Sequence, residues 1–182
     1  MPFILKLSNI KKLVFTAVCT ALCVVLPMAF HSVQNAGKIF LPMHIPVLLC
    51  GLICGCPFGF ICGLLGPALS SLLTGMPLAP MLPSMMVECA VYGFVTGFMM
   101  GFVRTKKLVP DLYISMLTAM LLGRFLAGLA SAWIFSPGTA PFAWVTGSLI
   151  TGIPGIVIQL ALIPLLVFSL TKAKLLPSRY LE

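Results

Sequence analysis

Apolar residues run along this chain in long unbroken blocks, separated by short polar or proline-rich stretches. They do not alternate as in a half-buried strand, nor recur as a single stripe on a polar helix. The first block covers 13–30 and is followed by a polar stretch, 31–38. Apolar sequence resumes at Ile39 and continues to Leu73, where His44 is the only ionisable side chain apart from thiols. A single helix of that length would reach about 50 Å, too long for a hydrocarbon core of about 30 Å. The break belongs at Cys54-Gly55-Cys56-Pro57, because Pro57 kinks or ends a helix that arrives from its N-terminal side. This divides the block into a short span at 43–53 and a second at 58–73. After the proline-rich turn 74–83, further spans are expected at 84–103, 112–135 and 142–170. The last holds Gly152, Pro154 and Gly155, which predict a kink or a re-entrant start. The pattern thus predicts an all-α polytopic membrane protein, one integral domain over 1–182 with six transmembrane helices.

Charge sets the orientation. Lys6, Lys11, Lys12, Arg104, Lys106, Lys107, Lys172, Lys174 and Arg179 fall on one side of the six spans, Lys38 on the other, and Arg124 within a span. That bias places both termini in the cytoplasm. Reading 43–73 as one span would move the Arg104 cluster outside and erase the bias. The basic N-terminal segment, with no clean small-x-small cleavage site and further apolar spans behind it, reads as a retained first helix rather than a signal peptide.

Composition agrees. Residues are 60% hydrophobic and 8% charged, with three carboxylates, Glu88, Asp111 and Glu182. A soluble domain carries about 25% charged residues, so the outer surface here faces lipid. The formal net charge of +8 does not point to nucleic acid, because the basic residues sit in short clusters between apolar spans. None of the seven cysteines forms a C-x-x-C pair, which argues for reduced packing residues and against a metal or redox site. No nucleotide-binding, metalloprotease or serine-hydrolase motif is present, and no filter or repeated polar stripe suggests a channel. No enzyme activity, cofactor or metal is expected.

Rows of small residues at spacing four, Gly51-Gly55-Gly59-Gly63 and Gly93-Gly97-Gly101, predict close helix packing within the chain. Three ionisable side chains lie within spans: His44, Glu88 and Arg124. Such residues are expensive in hydrocarbon and are paired or functional. Glu88 and Arg124 are expected to face each other, either as interhelical glue or as part of a binding site. Further polar and aromatic candidates gather toward the same outer half: His31, Asn35, Lys38, Tyr92, Trp133 and Trp144, with Gln159 deeper in the last span. Aromatic walls with a few convergent polar groups suit a small-molecule site, although Trp133 and Trp144 also fit an interfacial belt. Arg124 and Lys38 suit a carboxylate, Glu88 amide or amidine donors, and the aromatics a flat ring.

The segment Ala17-Val18-Cys19-Thr20-Ala21 matches an A-x-x-x-A pattern, and Leu41-Pro42-Met43-His44-Ile45-Pro46-Val47-Leu48-Leu49-Cys50-Gly51 is followed by Gly55-Cys56-Pro57 and Gly63-Leu64-Leu65-Gly66. With the size, span number and basic charge, these stretches resemble the substrate-binding S components of energy-coupling factor (ECF) vitamin transporters. The resemblance implies capture of a micronutrient outside, with a transmembrane coupling subunit and two ATPases as partners. It implies that Ala17 and Ala21 contact the coupling subunit. The substrate would lie near the outer surface, enclosed by loops 31–42, 74–83 and 136–141. It does not transfer a ligand; a queuosine-type precursor, pantothenate or niacin are the classes considered. A stand-alone secondary transporter or membrane scaffold, with ion coupling at Glu88 and Arg124, is the alternative.

Overall fold

The structure, a computed structural model, describes residues 7–29, 36–132 and 141–176. Among them the chain forms seven helices: α1 (Asn9–Ala29), α2 (Ala36–Phe40), α3 (His44–Cys54), α4 (Cys56–Thr74), α5 (Leu82–Phe102), α6 (Leu108–Ala130) and α7 (Pro141–Lys172). Five of these, all but α2 and α3, are long and apolar enough to cross a membrane. Their outward faces carry exposed Leu, Val, Ile and Phe, as a lipid-facing surface requires.

The expected span at 43–53 exists as α3, but its 11 residues rise only about 16 Å. It is a half-length helix enclosed by protein: every residue from Pro46 to Cys54 is buried. The chain leaves it at Gly55, whose φ of 95° is a conformation that L side chains rarely adopt. Pro57 then sits in the first turn of α4, where its missing N–H costs nothing. The break therefore falls where the sequence put it, and glycine makes it.

Two other expectations change. Part of the polar stretch before α3 is helical, since Ala36–Phe40 forms α2. The last long element is one helix from Pro141 to Lys172, so among the described residues its start is not re-entrant, while Pro154 and Pro164 lie inside it. Gly152 and Gly155 are buried packing positions, while Pro154 is exposed on the opposite face.

The glycine rows join α3, α4 and α5. A methyl group on Gly59 would collide with the Gly93 carbonyl, one on Gly93 with the Gly59 carbonyl, one on Gly63 with the Cys89 carbonyl, and one on Gly97 with the backbone at Gly55 and Cys56. Gly51 meets Gly93 and Thr96 in the same way, whereas Gly101 has open space. α4 thus runs antiparallel to α5 in direct backbone contact, with α3 parallel to α5 beside it.

α1 lies against α3 and α4 through Thr16, Cys19, Thr20 and Cys23. The Cys50 thiol donates to Thr16 Oγ1 (3.5 Å), and Thr20 Oγ1 donates to the Cys62 sulfur (3.6 Å). All seven cysteines are free thiols, and only Cys56 is not fully buried. At the start of α1 the Lys12 carbonyl accepts from the Cys54 thiol, and its ammonium lies 6.0 Å from the Phe58 ring. The first basic cluster therefore lies at the Gly55 end of the bundle, the end that also holds the α5–α6 connection with Arg104, Lys106 and Lys107. From the first turn of α6 the buried Asp111 ties that connection down, accepting from the backbone N–H (2.9 Å) and hydroxyl (2.7 Å) of Thr105.

Candidate functional site

At the opposite end, the antiparallel α5 and α6 bring two charges to one level. Glu88 lies six residues after the start of α5 and Arg124 six before the end of α6. Glu88 Oε1 is the hub. The Tyr92 hydroxyl, one turn along α5, donates to it at 3.0 Å. His44 Nε2, from the first residue of α3, lies 3.5 Å away, and Arg124 Nε 3.7 Å. All four side chains are buried, Arg124 at 2% exposure and His44 at 1%. The His44 ring also meets the Tyr92 ring edge-on, centroids 5.1 Å apart. Gly123 admits the Tyr92 ring, because a methyl there would overlap it.

α7 closes the other side. Arg124 Nη1 donates to the Ser148 carbonyl at 2.6 Å. One turn on, the bare face of Gly152 admits the guanidinium: a methyl would lie 2.7 Å from Nη2 and 3.1 Å from the Leu41 side chain. Gly155 admits α2, since a methyl there would lie 2.7 Å from the Ile39 carbonyl. Gln159, fully buried on the same face of α7, donates its amide to the Leu41 carbonyl at 3.3 Å. That carbonyl also accepts from the His44 backbone N–H at 3.1 Å. Leu41 is itself strained, with φ at 50°, a region costing a bulky L residue roughly 1–2 kcal/mol.

Three buried polar atoms around this cluster have no partner among the described residues: Arg124 Nη2, Gln159 Oε1 and His44 Nδ1. Buried polar groups are almost always satisfied, and those that are not call for a ligand, a water or an ion. No group of three or more His, Cys, Asp or Glu arranged to hold a metal ion exists among the described residues.

A scan against family models matches the chain over residues 11–167 to "ECF transporter, substrate-specific component". The chain belongs to that family. No curated protein and no solved structure matches it. As an ECF substrate-specific component it is a multi-pass membrane transport protein that binds substrate and is not an enzyme, and the polar cluster described above is where its buried chemistry concentrates.

Of the residues singled out in the sequence, the structure brings together His44, Glu88, Tyr92 and Arg124, with Gln159 beside them. Trp144 is half-buried one turn before Ser148 on the same row of α7. Lys38 lies in α2. His31, Asn35 and Trp133 lie outside the described residues. Ala17 and Ala21 are exposed, on the side of α1 turned away from its buried hydroxyls and thiols. Sequence reasoning missed Leu41, Ser148 and Gly152. The first and last act through backbone and absence of side chain, which carry no chemical signature. The row Ser148-Gly152-Gly155-Gln159, small residues leading to a buried amide at helical spacing, was the available signal.

Proposed function

We infer that this ECF component is the high-affinity capture subunit of an ATP-driven importer for a small vitamin or vitamin-like heterocycle, of the queuosine-precursor, pantothenate or niacin class. The observation that carries this is the buried Glu88 hub with unpartnered polar atoms at its border. Such atoms are where a bound molecule can complete the hydrogen bonding. Substrate binding is assigned to His44, Glu88, Tyr92, Arg124 and Gln159, with His31, Asn35, Lys38, Trp133 and Trp144 as further candidates from the surrounding segments. The partners are a transmembrane coupling subunit and two ATPases, in the cell membrane.

The exposed alanine face of α1 is the surface proposed for the coupling subunit, because small residues let helix backbones approach. Changing Ala17 and Ala21 together to Trp should leave small-molecule retention intact, while co-purification with the coupling subunit and ATP-driven uptake fall to background. Survival of both would remove this face from the interface.

The orientation proposed is six passages with both termini cytoplasmic, α3 serving as the inward arm of the α3–α4 hairpin. Reporter fusions after Lys106 and at Glu182 should then report the cytoplasm, and one at Gly138 the outside. A cytoplasmic signal at Gly138 would reject it.

A further inference from the structure

The capture reading leaves the ligand's charge open, and the unpartnered atoms bear on it. Arg124 Nη2 offers N–H donors and Gln159 Oε1 a lone-pair acceptor, while His44 Nδ1 serves as either. This is a mixed set. A carboxylate or phosphate, which only accepts, would leave Gln159 Oε1 buried without a donor. The fixed charges point the same way. The Arg124 guanidinium is already opposed by Glu88 at 3.7 Å and held by the Ser148 carbonyl at 2.6 Å. An anion at Nη2 would lie close to the Glu88 carboxylate in a poorly screened interior, where like charges repel strongly.

The two ends of the set border one place. Leu41 lies between them: its side chain shares the bare face of Gly152 with Arg124 Nη2, and its carbonyl takes the Gln159 amide. Gly152 and Gln159 lie two turns apart on one face of α7, about 10 Å along the axis, a span that suits a compact ring system. Leu41 is buried there in a strained backbone conformation, so its side chain is the group a ligand would displace.

Resting on the capture reading, we propose that the ligand carries no anionic group at this edge and presents an acceptor to Arg124 Nη2 and, from another part of the same ring system, a donor to Gln159 Oε1, as a ring bearing a lactam carbonyl and a separate N–H group does. Among the classes above this favours a guanine-like ring, which offers a ring carbonyl and N–H groups and no anionic group, over niacin, a carboxylate without a donor, and over pantothenate, whose amide meets the pattern but whose carboxylate would have to be kept clear of Glu88.

The test is mass spectrometry, in both polarities, of small molecules released from protein purified from cells grown in rich medium. Wild type is compared with Gln159→Leu and Arg124→Met, and thermal unfolding of each is recorded. The expected result is an enriched compound bearing a lactam or carboxamide and no carboxylate or phosphate, retained roughly tenfold less by Gln159→Leu, as when a built hydrogen bond is lost. An enriched carboxylate or phosphate would overturn this inference while leaving capture intact. An enriched amide retained equally by folded Gln159→Leu would remove Gln159 from recognition and overturn it too. No compound enriched over Arg124→Met would overturn the capture reading itself. If Gln159→Leu does not fold, the identity of the wild-type compound still decides.

Discussion

Gly93→Ala lowers the thermal stability of the purified protein sharply, and Gly93→Leu prevents it from folding. The added carbon meets the backbone carbonyl of Gly59, and no rotamer change relieves a clash with main chain. Overpacking a well-fitted contact costs about 1–3 kcal/mol, and a backbone-to-backbone clash lies at or beyond the upper end. Alanine's better helix propensity returns about 1 kcal/mol at most. Gly101→Ala is the matched control. It lies two turns on along the same row, but a methyl there meets nothing within 4 Å, so only the propensity gain remains and stability should be equal or higher. The measurement is thermal unfolding in detergent with monodispersity by size exclusion. Equal stability of the two alanine variants would show that α4 and α5 do not pack through their backbones.

Glu88→Gln should be the most destabilising single change at the polar cluster, by about 3–5 kcal/mol, the usual cost of leaving one member of a buried pair alone. Arg124 would be left buried against a neutral amide, and a guanidinium does not deprotonate. Arg124→Met should cost less, because the carboxylate keeps the Tyr92 hydroxyl and His44 Nε2 within reach. The double variant should be milder than Glu88→Gln, since no charge is stranded. Stability and ligand retention are measured separately for all three, and the coupling is read as a double-mutant cycle. Strict additivity in stability would mean the two side chains do not interact. A stable double variant that retains ligand at the wild-type level would reduce the cluster to interhelical glue.

How much was legible beforehand varied with the kind of residue. Charges in hydrocarbon announce themselves: His44, Glu88 and Arg124 stood out because each is too costly to bury alone, and they converge on one oxygen. Tyr92 and Gln159 were visible as polar groups within apolar blocks. Leu41 was not, because its contribution is a carbonyl and a backbone angle that any residue type conceals. Gly152 and Gly155 were read as weak points in a helix. They are docking surfaces for Arg124 and α2 instead, a distinction that requires knowing what lies opposite.

Block length and basic clusters determined by themselves that this is a helical membrane protein with a break near Gly55, because hydrocarbon thickness and backbone satisfaction leave few alternatives. The glycine spacing determined that helices would pack closely, though not which ones. Only the tertiary structure decided that the short α3 is enclosed by its neighbours and that α4 and α5 touch through their backbones. Only it decided that Arg124 reaches Ser148 across the face of Gly152. Local composition sets whether a segment is stable in lipid, whereas partners and register depend on shape complementarity between surfaces far apart in the chain.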